Sequence, residues 1–550
     1  MSCVTFSSLE NNKTGDLTPK ISYVMETFLD YSPFSFVERC LFRVMRFCFA
    51  KRFILCVGFL FAGLFSSHSA AVLTYEPSSV VPPKPFREFR AAWVPSVGEN
   101  SWLVIAGTNV SRQKATIIAM MDRAVALKLN TIIFQVRPAC DALYLSKIEP
   151  WSEQLTGTMG KAPWPYYDPL AFAIEEAHKR GLELHAWFNP YRALHPTSKS
   201  LISANHIAKR RPDLIRQYGA QFWLDPGERD VQDYSLAVVM DVVRRYDIDG
   251  VHFDDYFYPY PELDASGKVI DFPDAASWRK FGVNSHMARD DWRRENVNSF
   301  VQRVYASIKA VKPWVQFGIG PFGIWRKGVP AQIKGLDAYS SLFADSRKWL
   351  ASGWVDYLAP QLYWPIEPKQ QSFPALLNWW AAQNVAGRIL VAGLNTVDVG
   401  TKWSPDEILQ QIGIERHEPG VSGHVHYALT ALLRNDALAS QLLRTVYTEP
   451  ALVPISISSL GFDNRLPAKP IVTVKGKKSS VKITWGSSTN QVVQQWVLQF
   501  QIGSVWTTEI LQPNQTSRVF VGDLPEVVAV TTENRFGVLS VPTVVQLKGK

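Results

Sequence analysis

A chain of 550 residues with 47% hydrophobic content is too long for one ordinary domain and has ample apolar mass for a large core. The formal net charge is +9, yet 58 basic residues are scattered among 49 acidic ones without a dense run, which excludes a nucleic-acid footprint and leaves a weak attraction to anionic surfaces. Nineteen Trp, nineteen Tyr and thirty Phe, many beside Pro, Gly or Asn at expected strand ends, fit a cleft with flat apolar walls better than a plain core.

Residues 1–44 show no periodicity and precede a second plausible initiator, Met45. From there Arg46, Lys51 and Arg52 form a basic start, residues 53–65 an apolar run, and residues 66–71 a small-residue end. This is the pattern of a secretory signal cut near Ser69 or Ala71, and the run is shorter than the roughly 20 apolar residues a membrane span needs. Residues 1–71 are thus an extension and signal, and the protein is expected to be exported, periplasmic or associated with the cell envelope. Cys3, Cys40, Cys48 and Cys56 would leave with that segment, so Cys140 stands alone and no intrachain disulfide is expected. Residues 72–85, with Pro77, Pro82, Pro83 and Pro85, read as a short extended linker.

A regular alternation follows over residues 86–450. Apolar strand candidates fall at 89–95, 131–138, 182–189, 250–255, 315–320, 355–363, 389–395 and 423–428. Helical segments separate them at 113–129, 169–180, 231–246, 291–311, 339–353, 373–383 and 405–416, with 435–447 closing the series. Eight strand-helix units predict an α/β fold, a (β/α)8 TIM-type barrel enlarged by loops, and no glycine-rich phosphate loop follows the first strand. Past Pro454 the texture changes to short β-rich pieces at 471–474, 480–485, 495–501, 517–521 and 527–532, which predict a small β-sandwich over residues 466–550. The string from Val528 to Ser540, with Trp485 ending an early strand, resembles the late strands of a fibronectin type III module. Such a module would serve as a spacer or as a dock for an envelope protein.

The stretch Asp249-Gly-Val-His-Phe-Asp254-Asp255-Tyr-Phe-Tyr-Pro259 ends an apolar strand with two carboxylates and a cluster of rings. Alternation puts Val251 and Phe253 on one face and His252 and Asp254 on the other, so Asp254 points inward at the C-terminal end, where barrel enzymes build their sites. The same parity turns Gln135 and Arg137 inward on the second strand, and His185, Trp187 and Asn189 on the third, followed by Tyr191 and Arg192. On the sixth it selects Gln361 and Tyr363, with Trp364 on the loop. Central strands buried on both faces should read as continuous apolar runs, so polar and aromatic residues at four strand ends imply a polar cleft.

Glycosidic bond cleavage needs a proton donor, a carboxylate nucleophile or base, and groups that bind hydroxyls, all of which this set contains. His185, His252, His424 and His426 raise the rival of a metal centre, but only His424 and His426 are closely paired, so neither metal nor cofactor is expected. A serine hydrolase is disfavoured by the absence of Gly-x-Ser-x-Gly. Asp254 is the candidate catalytic carboxylate and Asp255 its acid/base or positioning partner. Gln135, Arg137, Trp187, Asn189, Tyr191, Arg192, His252, Tyr256, Gln361, Tyr363 and Trp364 are candidate substrate contacts, with Trp187 and Trp364 as stacking faces.

Five motifs in order, Phe134-Gln-Val-Arg-Pro138, Ala186-Trp-Phe-Asn-Pro-Tyr-Arg192, Gly250-Val-His-Phe-Asp-Asp-Tyr-Phe-Tyr-Pro259, Asp291-Trp-Arg-Arg294 and Asp356-Tyr-Leu-Ala-Pro-Gln-Leu-Tyr-Trp-Pro365, resemble the glycosyl-hydrolase-like family ten across about residues 86–447. The resemblance implies a (β/α)8 barrel, export, and a polysaccharide substrate, with peptide-free peptidoglycan glycan strands first among the choices. Another polysaccharide, or a barrel that binds glycan without cutting it, are the alternatives. The run ending at Asp254 also resembles the fourth-strand nucleophile of the α-amylase clan, although the fifth strand lacks that clan's Glu. It resembles the chitinase signature as well, but His252 and Tyr256 replace an Asp and the catalytic Glu, which argues against substrate-assisted chemistry of that kind. The long loop 260–290 is expected to wall the cleft, and its Glu262, Asp264, Asp271 and Asp274 are candidate acids.

Overall fold

The computed structural model describes residues 73–103, 106–457, 466–477 and 479–548. The expected signal segment lies outside the described residues. Eight strands close into a parallel barrel, each beside its chain neighbours: β1 (Phe89–Val94), β2 (Thr131–Arg137), β3 (Glu183–Phe188), β4 (Gly250–Phe253), β5 (Gln316–Ile319), β6 (Tyr357–Leu358), β7 (Ile389–Asn395) and β8 (Val421–Tyr427). Helices α1 (Val110–Ala126), α2 (Pro169–His178), α3 (Arg229–Arg245), α4 (Arg289–Val311), α5 (Ser346–Ala351), α6 (Phe373–Gln383), α7 (Pro405–His417) and α8 (Asp436–Thr445) alternate with them. Local chemistry starts several of these: the side chains of Asn109, Asp168, Ser372 and Ser404 accept from backbone N–H groups of the first turn, and Pro opens α2, α6 and α7. The single helix expected at 339–353 is instead two pieces, Ala338–Ser341 and α5. The break lets Phe343 pack edge-on against Tyr258 at 4.9 Å, and Asp345 caps the second piece.

Strand parity sorts the side chains into two layers. Ala92, Val94, Ile132, Phe134, Leu184, Ala186, Val251, Phe253, Phe317 and Ile319 face the helices, while Phe89, Ala91, Trp93, Ile133, Trp187, Tyr357, Val391 and Val425 fill the barrel. Large inward rings require small inward neighbours. A Cβ on Gly318 would lie 1.9 Å from the Tyr357 ring, and one on Gly250 2.5 Å from His185, so these glycines clear the space in which Tyr357 bonds both His185 (3.0 Å) and His252 (2.9 Å).

The C-terminal region is antiparallel. Strands β9 (Ile471–Lys477), β10 (Ser480–Gly486) and β13 (Ser517–Val521) form one sheet. Strands β11 (Gln495–Ile502), β12 (Val505–Leu511), β14 (Val527–Glu533) and β15 (Thr543–Leu547) form the other, over a core of Trp485, Trp496, Leu498, Phe500, Phe520, Val528 and Val530. The expected linker departs from its reading: Tyr75–Pro77 pairs with β15 as a fifth strand, and Pro83 accepts from Gln499 at 2.8 Å. An unpaired edge on β15 and a buried seat for Leu73 and Tyr75 favour this arrangement over a free linker. The described residues form one compact unit. The sheets dock on the N-terminal end of the barrel through Arg87 to Glu533 (3.2 Å), Arg535 to Asp247 (2.5 Å) and Gln495 to the Gly181 carbonyl (3.1 Å), around a cavity of about 380 Å³.

Candidate active site

The ladder of β4 ends at Phe253, whose carbonyl takes the Gly320 N–H at 2.8 Å. The chain then bends, with Phe257 N–H donating to the Asp255 carbonyl at 3.1 Å. Adjacent strand residues would point to opposite faces, but this bend keeps Asp254 and Asp255 together in the mouth, 4% and 2% exposed. They fan apart: Asp254 turns to β3, where Asn189 Nδ2 donates to its Oδ2 at 2.9 Å, and Asp255 turns to Gln361 after β6 and to the Tyr260 hydroxyl.

A relay with fixed polarity leads to Asp254. The backbone N–H and hydroxyl of Ser96 both donate to Gln135 Oε1, at 2.8 and 2.9 Å. Because the backbone N–H can only donate, Gln135 must present its NH2 to Asn189 Oδ1 (2.8 Å), and Asn189 its NH2 to Asp254. Oδ2 of Asp254 is therefore an acceptor, and its Oδ1 accepts the Tyr256 N–H at 3.3 Å.

Burial and then the charge of Asp255 push the Asp254 carboxyl up to about 7, against the opposing pull of Arg192, Tyr256 and Asn189. Burial also raises Asp255, while Tyr260, Gln361 and Arg192 favour its charged form. Tyr260 and Gln361 favour the charged form of Asp255, and that charge helps to hold the proton on Asp254. Arg192 faces both from a three-stranded excursion after β3, its guanidinium 4.0 Å from the Tyr256 ring and 5.7 Å from that of Trp223.

Rings form the walls. Tyr363 leans on Tyr427 at 5.5 Å and meets Trp93 edge-on at 6.4 Å, and Trp187 stands 6.3 Å from His252 on the floor. Half-buried Trp364 contacts Phe322 at 5.6 Å, and Phe322 contacts Tyr260 at 6.2 Å, extending the wall outward from Asp255.

The structure brings together Gln135, Trp187, Asn189, Arg192, Tyr256, Gln361, Tyr363 and Trp364 around the pair, but three expected contacts fall elsewhere. Between Gln135 and Arg137 the register of β2 shifts, so Arg137 leaves the inward parity; it is buried on Glu149 (2.6 Å) and on the Asn189 carbonyl. Tyr191 follows Pro190 out of the strand and packs in the core against Phe300 of α4 at 5.2 Å. His252 does point inward, but lies too deep for substrate: it is fully buried, with one ring nitrogen on Trp93 Nε1 (3.0 Å) and the other on Tyr357. The loop acids are also committed. Glu262 takes Gln221 at 2.8 Å, Asp264 closes its own turn on Ser266 and Lys268, and Asp271 and Asp274 pair with Arg289 and Arg293 of α4. What this loop lends the cleft is Tyr260. Ser96, Trp93 and Tyr427 join the site beyond the residues expected from sequence, and parity on β1 and β8 does point Trp93 and Tyr427 inward, whereas His424 and His426 face the helix layer and Tyr447.

A parallel barrel with two adjacent buried carboxyls and aromatic walls at its C-terminal mouth defines a carbohydrate-cleaving barrel enzyme. The chain belongs to the glycosyl hydrolase-like 10 family, whose model matches residues 88–408. It is 39% identical over 400 residues to the glycosyl hydrolase YngK of Bacillus subtilis, covering 70% of this chain and 76% of that one. Over 380 residues it is 36% identical to the glycosyl hydrolase DigH of Escherichia coli K12, covering 64% and 83%. Among solved structures, the PgaB (BpsB) glycoside hydrolase domain from Bordetella bronchiseptica aligns with 67% of this chain and all of its own at 13% identity and a TM-score of 0.44. The protein is a glycoside hydrolase.

Proposed function

We propose that this is an exported hydrolase of bacterial cell-wall glycan, acting on peptidoglycan strands freed of peptide, with Asp254 as the general acid and base and Asp255 as its ionised partner. The observation that carries the catalytic assignment is the pair itself: a buried carboxyl raised to about 7 beside a second carboxylate is poised to protonate a glycosidic oxygen near neutral pH. The aromatic walls suit sugar faces, and Arg192, Asn189 and Gln361 supply groups for hydroxyls. Export rests on the signal-like segment before residue 72, and the choice of wall glycan on the sequence resemblance and a mildly positive charge suited to anionic wall polymers. In that setting the C-terminal β-sandwich offers a surface to an envelope protein.

The test is incubation of the purified protein with peptidoglycan, peptide-free glycan strands, chitin and α-glucans, with products identified by mass spectrometry. Release from the peptide-free strands is expected. Release from α-glucans alone would overturn the substrate, and binding without release from any glycan would overturn catalysis in favour of a glycan-binding barrel.

A further inference from the structure

The cavity between the N-terminal end of the barrel and the β-sandwich measures about 380 Å³, within the range of small-ligand sites. Its walls come from both modules. Parity turns Glu183, the first residue of β3, and Gln316, the first residue of β5, into the barrel opening, because Leu184 and Phe317 beside them face the helices. Glu533, the last residue of β14, lines the cavity from the sandwich, and Trp314 and Leu452 give it apolar surface.

One oxygen of each acid already has a partner. His185 Nε2 stands 3.3 Å from Glu183 Oε2, and Arg87 meets Glu533 Oε1 at 3.2 Å. The histidine brings no charge. Trp93 Nε1 can only donate, so His252 accepts at Nε2 and donates its Nδ1 hydrogen to the Tyr357 hydroxyl, which donates its own to His185 Nδ1. His185 therefore donates from Nε2 as a neutral ring, at the lower end of a hydrogen-bonded column along the barrel axis.

Burial raises the Glu183 carboxyl despite that bond, with the Asp249 charge adding to the rise and His178 opposing it. Burial likewise pushes Glu533 up to about 7 against the pull of Arg87, with the Glu183 charge adding to the rise. Gln316 is 9% exposed, and its Oε1 finds no donor among the described residues. The other cations that line the cavity are committed elsewhere: Arg180 to Asp122 and Glu176, Arg535 to Asp247 and Asp249, and Lys128 to the Thr448 carbonyl. Two buried carboxyls and an orphan acceptor thus face a shortage of donors and of positive charge.

We propose that this cavity binds a primary organic ammonium carried on a small apolar body, whose N–H groups go to these acceptors while the body lies against Trp314 and Leu452. An ammonium supplies both missing quantities, three hydrogens and a charge. A neutral alcohol of the same size offers one hydrogen, and a carboxylate none. Because the acceptors belong to both modules, an occupant also ties the β-sandwich to the barrel and stabilises the folded chain by mass action.

Isothermal titration calorimetry of the full protein with cyclohexylammonium, cyclohexanol and cyclohexanecarboxylate compares one body with three head groups. The ammonium should bind at least about 10-fold more tightly than either of the others. Its affinity should rise from about pH 6 to about pH 8 as Glu533 ionises, because the probe keeps its charge throughout. Glu183→Gln and Glu533→Gln, one in each module, should each weaken binding at least about 10-fold, whereas Asp255→Asn, at the opposite end of the barrel, should leave it unchanged. Should a variant fail to fold, the three probes on the parent decide. No binding of the ammonium, equal binding of the alcohol or the carboxylate, an affinity that is flat or falls over that pH range, or loss in Asp255→Asn with retention in Glu183→Gln would overturn the proposal. None of these outcomes depends on cleavage of a glycan, so the glycosidase reading is tested separately.

Discussion

At the N-terminal end of the barrel, Glu88 lies between Arg90 (2.6 Å) and Arg416 (2.7 Å), Lys309 meets Asp356 at 2.7 Å, and His424 joins Glu415 (2.8 Å) and Tyr447. At the C-terminal end, Asp254 and Asp255 share one nearby cation, Arg192, which is itself stacked on Tyr256. Both ends bury charge, and burial pushes a carboxyl upward at both. For Glu88 the two arginines outweigh it and the carboxyl ends below its ordinary range; for Asp254 the nearest charge is another carboxylate, so it ends high. The difference teaches that burial alone does not set a carboxyl's charge here: two arginines hold Glu88 ionised, whereas Asp254, with a second carboxylate beside it, keeps a proton to give.

The largest effect that would sharpen this contrast is Asp254→Asn. Turnover should fall about 10²- to 10⁴-fold with the fold intact by circular dichroism. The sign of its effect on stability is opposite. With a folded value of about 7 against 3.8, the folded state binds a proton that the unfolded chain has lost, so stability falls as pH rises from about 4 to 7. At pH 8 the variant should therefore be more stable than the parent, by at most about 4 kcal/mol in denaturant titration. A less stable Asp254→Asn would break the comparison. Parent activity should decline above about pH 7 as the acid is lost.

Lys309→Met tests the other end. It leaves Asp356 buried with one cation fewer and should cost about 3–5 kcal/mol, with turnover per folded molecule unchanged. Asn189→Ala is smaller. It removes a donated bond that favours the ionised acid, so the alkaline limb of the pH profile should move up while kcat falls about 10- to 100-fold through misplacement of Asp254. The smallest is Trp364→Ala, which takes a stacking face from the outer wall and should raise KM about 3- to 10-fold with kcat nearly constant.

Alternation of period two carried the reading a long way. It placed eight strands, sorted Val251 and Phe253 from His252 and Asp254, and brought Gln135, Asn189 and Gln361 to one mouth, because every strand of a closed barrel shares the same inside. It failed where geometry leaves that period. A shifted register removed Arg137, and an exit from the strand after Pro190 removed Tyr191. Parity also says nothing about depth, so His252 faced inward yet lies below the reach of a ligand. The loop acids were misjudged for another reason: Asp271 and Asp274 are claimed by Arg289 and Arg293, and pairing across a loop is set by tertiary placement. Strands β12 and β15 and the Tyr75–Pro77 edge went unread, although Gly503-Ser504 between β11 and β12 is a two-residue hairpin signal.

That edge strand orders events in time. Glu76 meets Lys548 across 472 positions, so the seat for the first described strand does not exist until residues 543–548 have been made. During synthesis the barrel can close while residues 75–77 wait, and the entropy lost in joining such distant segments is recovered only at the end. Nascent chains that stop short of β15 would therefore display an unpaired, partly apolar leading segment, a mark by which proteolysis can tell unfinished molecules from finished ones.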